Sequence, residues 1–446
     1  MRTGSITLKQ AALWCGGSVA PEYEALQFSG ANFDTRRLQP GELFVAILGA
    51  RDGHDYAARA MELGAAAVLA SRPVEAPAIY VEDTLTAMQA IARGYRETLT
   101  ARCVGITGSV GKTTTKEMIA AVLGTSLRTE KTAENFNNGM GLPVTVLGVG
   151  PDCEAMVLEM GMNHFGEISL LTSIARPEIA VITNVGTMHI ENLGSREGIL
   201  QAKLEILEGL RPGGLAVLNG DNDLLRQVRP DCRTVFFGFG SNCQVRAEQV
   251  QATEDGQRFT ALVHGEPVAV ELPVAGEHHV LDALAALAVG AELGIPGPVM
   301  AEGLKHFRNT GMRQKIWSRD GITVIEDCYN AGPESMAAAL QVLGSRAGRR
   351  IAVLGGMLEL GDYAPGAHYD VGQAAAQNAE LLFCYGDCTE HCVSGAKAAG
   401  MTYAQKFESH EALAAALRET LRPGDVLLVK GSRGMRMERV LQILFP

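Results

Sequence analysis

The 446-residue chain lacks any apolar run near the roughly 20 residues that a membrane helix needs; stretches such as 65–70 stop far short. It also lacks an apolar stretch long enough for a secretory signal, since Met1-Arg-Thr-Gly-Ser-Ile-Thr-Leu-Lys-Gln has only isolated apolar residues. Both absences lead to the expectation of a cytoplasmic protein with no membrane insertion. An excess of basic residues is missing as well. The 39 Lys and Arg stand against 50 Asp and Glu, a net charge of −11, so no broad nucleic-acid surface is expected and the basic residues act locally. Paired cysteines are missing too: nine, an odd number, are scattered from Cys15 to Cys392 and read as reduced thiols. Cys384, Cys388, His391 and Cys392 have metal-ligand residue types. Without a Cys-x-x-Cys knuckle, and with Cys384 ending an apolar strand pattern, a structural zinc is not expected there. No repeat or low-complexity segment is visible. What remains is an ordinary globular composition, 47% hydrophobic and 20% charged, with 51 glycines that point to tight turns or close backbone approach to a ligand.

At about 150 residues per domain the length suggests three domains, and the texture of the chain changes near 98 and 311. Residues 1–98 alternate short strands at 43–47, 66–69 and 78–81 with a helical pattern at 56–63. Residues 99–311 carry buried-strand patterns at 103–107, 155–159, 179–183 and 215–218 with helices between, the mark of a parallel sheet. Four close-spaced alternating segments follow, at 234–239, 244–249, 259–263 and 267–272. With a turn expected at Gly265-Glu266-Pro267, they predict an antiparallel appendage, and a buried Ala/Leu helix follows over 278–293. Residues 312–446 repeat the alternation with strands at 322–327, 350–354, 381–385 and 426–429. The fold class is therefore α/β: a central parallel sheet with an antiparallel appendage between two smaller α/β units.

The most informative segment is Gly105-Ile-Thr-Gly108-Ser-Val-Gly111-Lys112-Thr113, set between a strand and the helix that starts at Lys112. Glycines let such a loop turn its N–H groups inward around phosphate oxygens, and the helix start adds positive potential. Lys112 would reach the β- and γ-phosphates, and the Thr113 hydroxyl would bind Mg²⁺. The spacing is shorter than the usual P-loop form. Two further polar residues follow apolar strands, Glu159 and His189. In a parallel sheet these strand ends meet the same crevice, where Glu159 and His189 would ligate a second divalent cation.

Several stretches together resemble the Mur ligases, the ATP-dependent amide-forming enzymes of peptidoglycan precursor synthesis. They are Thr107-Gly-Ser-Val-Gly-Lys-Thr-Thr-Thr-Lys-Glu117, Asn135-Phe-Asn-Asn-Gly-Met-Gly-Leu-Pro143, Glu159-Met-Gly-Met-Asn-His164 and Asn184-Val-Gly-Thr-Met-His189. Ala202-Lys203-Leu-Glu-Ile, Met312-Arg313-Gln and Asp327-Cys-Tyr329-Asn330-Ala-Gly-Pro-Glu-Ser335-Met extend the resemblance over essentially the whole chain. Within the family, the Thr-Gly-Ser loop, Asn-Asn before Gly-Leu-Pro, and Gly356-Met-Leu-Glu-Leu-Gly361 are most similar to the members that add a dipeptide.

The resemblance implies roles that spacing alone does not give. The substrates would be UDP-N-acetylmuramoyl-tripeptide, D-alanyl-D-alanine and ATP, and the product an amide formed through an acyl phosphate. Residues 1–98 would hold the uridine nucleotide, 99–311 ATP, and 312–446 the amine and part of ATP in a Rossmann-like unit. Lys112, Lys203 and His189 would be catalytic, Lys203 as a carbamate beside the second Mg²⁺. Thr107, Gly108, Ser109, Val110, Gly111, Lys112, Thr113, Arg313 and Asn330 would hold nucleotide, with Asp327 and Tyr329 near its ribose or base. Asp34, Arg36, Phe44, His54, Asn138, Lys430 and Arg433 would contact substrates; Glu359 and His368 are further candidates for acceptor choice. The protein is expected to act as a monomer. The chain departs from the family pattern at His278-His279, where His-Asn is usual, and at Gly332, where Asn is frequent; both positions bear on the adenine contacts. A ligase adding one amino acid (diaminopimelate or lysine), a folylpolyglutamate synthetase, and a P-loop nucleotide switch are the competing readings. ATP turnover that requires both an acid and an amine separates ligase from switch.

Overall fold

The computed structural model describes residues 5–253, 256–309 and 311–446. Apart from a two-stranded ladder (Ile6–Thr7 with Gln27–Phe28), the strands form three sheets. The N-terminal sheet has five strands in the order Ser18–Val19, Ala78–Tyr80, Ala67–Ala70, Leu43–Val45, Ala31–Asn32. The central sheet has nine, in the order Glu266–Leu272, Gln257–Val263, Val245–Ala252, Arg233–Gly238, Leu215–Asn219, Ile179–Ile182, Arg102–Thr107, Ala155–Glu159, Thr129–Lys131. The C-terminal sheet has six, Lys315–Arg319, Ile322–Asp327, Val426–Lys430, Arg350–Gly355, Leu381–Tyr385, Tyr403–Phe407, parallel except for the first.

The middle of the central sheet is covered on both faces, which is why its strands read as continuous apolar runs rather than as alternations. Successive residues go to opposite sides. Val104, Ile106, Val157 and Val181 face the helices Lys112–Leu123 and Glu277–Glu292; Cys103, Met156, Leu158 and Ile182 face Thr84–Thr98 and Glu167–Ala175. Parallel register aligns the carboxyl ends, with Ile182 beside Thr107 and Glu159 beside Ile106. Thr107, Glu159 and Thr183 are thereby set along one rim, the place where open parallel sheets take ligands.

Some expectations need correction. The segment at 234–239 is not part of an antiparallel appendage. Arg233–Gly238 pairs parallel with both neighbours, and antiparallel pairing starts only between Val245–Ala252 and Gln257–Val263. Alternation reports one open face, not strand direction. The hairpin turn is His264-Gly265, with φ of +50° and +91°, the doubly left-handed form that two-residue hairpins prefer. Pro267 lies inside the outermost strand, where a missing N–H costs no ladder bond on the open side. Thr129–Lys131, Lys315–Arg319 and Tyr403–Phe407 were not expected. Among the described residues no three His, Cys, Asp or Glu side chains converge as a metal cage. Cys384 instead lies buried against the Cys392 thiol, which together with burial pushes its own thiol pKa up.

Candidate functional site

The phosphate-type loop follows Arg102–Thr107 directly. Gly108 is at φ +154°, and a Cβ there would stand 1.8 Å from Thr183 Oγ1. Gly111, at φ +85°, would carry a Cβ only 2.7 Å from Asp282 Oδ1. Only glycine fits either position. The loop is held from behind: Asn184 accepts from the Ser109 and Val110 N–H groups (3.1 and 2.9 Å), and Thr183 Oγ1 donates to the Val110 carbonyl. Ser109 Oγ accepts from the Gly186 N–H. The buried Thr107 hydroxyl has no partner among the described residues.

Lys112 folds back to donate to the Gly108 and Ser109 carbonyls (2.8 and 3.4 Å). Burial holds its ammonium below the usual lysine range; Glu159 opposes that shift and Arg313 adds to it. Thr113 Oγ1 donates to Glu159 Oε2 at 2.8 Å, while Asn137 donates to Oε1 at 2.9 Å. A hydroxyl and a carboxylate thus meet at the loop mouth, hard oxygen donors of the kind Mg²⁺ takes alongside phosphate and water. Lys203, on the helix Arg196–Leu204, is 1% exposed. Burial first and the Lys112 charge second hold its pKa well below that of an ordinary lysine.

Lys112, Thr113, Asn137 and Glu159 line a cavity of about 800 Å³ between the central and C-terminal sheets; Thr107, Gly108 and Lys203 are not among its lining residues. Of the residues singled out from sequence, Ser109, Val110, Gly111, Lys112, Thr113, Asn138, Glu159, His189, Arg313, Asn330 and Lys430 line it, as do Asp327 and Tyr329. Arg313 lays its guanidinium over the Tyr329 ring, 3.6 Å from the centroid. Lys430 donates to Asp327 Oδ2 (2.6 Å) and to the Asn330 carbonyl (3.0 Å). Asn330 Oδ1 accepts from the Ala331 N–H, and Asn138 Oδ1 caps the turn at Met140 and Gly141. His189, at φ +66°, pairs through Nδ1 with Glu359 Oε2 at 2.5 Å, so the expected ligand meets a C-terminal carboxylate instead of Glu159.

Other expected residues stand apart from the cavity. Phe44 is 1% exposed and packs with Leu38, Ala46 and Ala57, so its ring belongs to the core of the N-terminal sheet. The buried His54 bridges Asp52 Oδ1 (2.6 Å) and the Ser71 N–H (2.9 Å), using both ring nitrogens to fasten two loops. Asp34 holds Arg36 in a two-point ion pair, which brings its carboxyl down to about 2. Arg433 has a side chain 56% exposed and paired with Glu438, outside the cavity. His368 is fixed between the Ala364 carbonyl and the Met357 N–H.

Among the cavity residues given no role from sequence are Asp282, and also Gln314 and Glu334, which lie inside the quoted motifs. Asp282 accepts from Thr115 Oγ1 at 2.7 Å and faces His279 Nδ1 at 3.3 Å. The other ring nitrogen of His279 meets Gln314 Oε1, which ties the helix Glu277–Glu292 to the segment carrying Arg313. The signal for Asp282 was present: a carboxylate inside an Ala/Leu helix needs a partner. Glu334 Oε1 accepts from the Thr187 N–H (2.8 Å) and hydroxyl (3.1 Å) across the same seam.

Comparison with known proteins agrees with this arrangement. Residues 106–290 match the Mur ligase middle domain, 312–433 the "Mur ligase, glutamate ligase domain", and 27–107 the "Mur ligase family, catalytic domain". The chain is 41% identical to UDP-N-acetylmuramoyl-tripeptide–D-alanyl-D-alanine ligase of Bacillus subtilis (strain 168), over 98% of each chain. To the protein of that name in Escherichia coli (strain K12) it is 38% identical over 92% of each. Among solved structures it superposes on MurF from Acinetobacter baumannii with a TM-score of 0.92 at 28% identity, covering 100% of this chain and 99% of the other. For the MurF ligase from Thermotoga maritima in complex with ADP the TM-score is 0.83 at 29% identity, over 93% and 96%. These matches span essentially the whole chain, and the chain belongs to the Mur ligase family.

Proposed function

We propose that this protein is an ATP-dependent ligase that joins D-alanyl-D-alanine to UDP-N-acetylmuramoyl-tripeptide, giving ADP and phosphate, in peptidoglycan synthesis. The observation that carries this reading is the single cavity in which a lysine-bearing glycine loop faces Arg313, Tyr329 and Lys430 of a second sheet. In this reading residues 1–98 bind the uridine nucleotide, 99–311 bind ATP, and 312–446 bring the amine and close on the nucleotide. The enzyme acts as a cytoplasmic monomer.

The chemistry requires a carboxylate to approach a triphosphate, so like charges must be offset in a site of low dielectric. Lys112 swings from its loop carbonyls onto the β- and γ-phosphates, and Thr107 to Thr113 wrap the phosphate chain. Arg313 and Asn330 hold the nucleotide from the other side. Thr113 and Glu159 would hold Mg²⁺, and Glu159 with His189 and a carbamate on Lys203 a second ion. Bound there, Mg²⁺ supplies charge neutralisation between the acid and ATP. Burial, and then the Lys112 charge, push the Lys203 pKa down and so favour the free amine that CO₂ needs to form such a carbamate, which supports that reading of Lys203. His189 takes up its role by releasing Glu359. The γ-phosphate passes to the terminal carboxylate of the tripeptide; the dipeptide amine then attacks the acyl carbon, and phosphate departs. Exclusion of water from the cavity protects the acyl phosphate.

The test is phosphate release measured with each substrate omitted in turn, and the mass of the product. Turnover only when ATP, UDP-muramoyl-tripeptide and D-alanyl-D-alanine are all present supports the assignment. ATP hydrolysis independent of either co-substrate, or a better yield with a single amino acid, overturns it.

A further inference from the structure

We infer that Glu334 is the residue that receives the ammonium group of the incoming amine, an inference that rests on the ligase reading above. Five carboxylates line the cavity. Glu159 spends both oxygens on Thr113 and Asn137. Glu167 accepts from the Asn163 and His164 N–H groups with Oε2 and faces the His164 ring with Oε1. Asp282 holds Thr115 and faces His279, and Asp327 takes the Gln314 N–H and Lys430. Glu334 differs. Its Oε1 accepts from Thr187, but its buried Oε2 has no partner among the described residues. Arg196, whose charge reaches Glu334, is committed to Asp223 through both terminal nitrogens and to the Val185 carbonyl.

A buried carboxylate oxygen left without a donor is costly, and the group that satisfies it gains the most from being charged. The remaining charged side chains facing the cavity from the loop and the C-terminal sheet are cations: Lys112, Arg313 and Lys430. These suit phosphates and carboxylates and repel an ammonium. Glu334 sits in the first turn of Pro333–Gly344, on the C-terminal side of the seam, and reaches across to the loop that carries His189. It therefore stands where an amine held by the C-terminal unit meets an acid held by the central one. It discriminates by charge: an acceptor without a free ammonium gains nothing from Oε2.

The experiment is Glu334→Gln, which keeps the shape and an oxygen for Thr187 but removes the charge, compared with Glu334→Ala. KM is measured separately for D-alanyl-D-alanine, ATP and the UDP-muramoyl-tripeptide, with thermal unfolding of each variant. Glu334→Gln is expected to raise the dipeptide KM at least tenfold and to leave the other two within twofold, at an unchanged unfolding temperature. A dipeptide KM within twofold of the parent overturns the inference. So does an equal rise in all three KM values, which would mark Glu334 as a clasp between the sheets. A higher half-saturating Mg²⁺ with an unmoved dipeptide KM also overturns it, by giving the carboxylate to the metal. If the parent enzyme shows no turnover with these substrates, the ligase reading itself fails, and the two failures are distinguishable.

Discussion

The two seams that flank the central sheet are built on different principles. On the N-terminal side, the helix Thr84–Thr98 lies along Gly141–Gly148 and Glu167–Ala175; its buried links go to backbone carbonyls, while Arg93 meets Ser173 and Glu97 meets Arg176 and Arg211 at the surface. Tyr95 donates to the Val149 carbonyl (2.8 Å), Gln89 to Gly139 (2.9 Å), and the buried Arg96 to Ala175 (2.7 Å), Leu99 and Arg176. Arg96 also pairs with Glu178. On the C-terminal side the polar links run from side chain to side chain around the cavity: His189 to Glu359, His279 to Gln314, and the Thr187 hydroxyl to Glu334. A carbonyl held by a buried arginine is not exchanged for a ligand, because no ligand reaches it. Side chains bordering a cavity can trade one another for substrate groups. The first seam is thus built as a platform, whereas His189, His279, Gln314 and Glu334 of the second border the cavity itself.

The comparison breaks if the two sides respond alike to mutation. Lys112→Ala should show the largest effect, a loss of turnover on the order of 10³-fold or more from the developing phosphoryl charge. Its unfolding transition should stay near that of the parent, because Nζ bonds only to its own loop. Near-normal turnover in the folded variant would remove Lys112 from the mechanism. Arg96→Ala should do the reverse: a loss of about 3 kcal/mol in stability, from carbonyls and a carboxylate left without their donor, with KM values of the surviving enzyme unchanged. Denaturant titration beside steady-state kinetics decides this; a shift in substrate KM without a shift in midpoint would mean that the platform also moves.

Lys203→Ala sharpens the cavity side. Activity should fall at least a hundredfold, and a short-chain carboxylic acid in solution should restore part of it if a carbamate is what is missing. An intact-mass measurement in acid would miss a carbamate, so the check is a crystal structure of the nucleotide complex; an unmodified amine at Lys203 there would sink the idea. The smallest effect is expected at Arg433. The acceptor carboxylate suits an arginine fork, but Arg433 must first leave Glu438. Arg433→Ala should raise the dipeptide KM a few-fold and that for ATP less. An unchanged dipeptide KM would leave Arg433 as a surface residue, with Lys430 as the cation facing the acceptor.

Sequence alone was most informative where one physical requirement dominates. Ala155–Glu159 and Leu381–Tyr385 were read to the residue because strands covered on both faces must be apolar throughout. The loop from Gly108 to Thr113 was legible because its glycines and lysine stand at close spacing between a strand and a helix. Tertiary burial was not legible. Phe44 and His54 sit in a stretch that passes for a pocket, yet one is core and the other ties two loops together. Glu334 could not be found by spacing, because its distinction is an oxygen without a partner. Nor could His189–Glu359, whose members are separated by 170 residues.

Of the two edges of the nine-stranded sheet, Glu266–Leu272 was legible in the sequence and Thr129–Lys131 was not, and the difference has consequences in the crowded cell. One edge is the three-residue Thr129–Lys131, with Glu130 and Lys131 exposed; the other carries Glu266, Pro267 and Glu271. Short length and charge hide Thr129–Lys131 from hydrophobic patterning, and on the two edges short length, charge and proline deny a neighbouring chain a template for intermolecular pairing. Replacing Glu130 and Lys131 with valines would make that edge conspicuous in the sequence and adhesive in solution. What makes the shorter border hard to read is what keeps such a wide sheet from growing into its neighbours on that side.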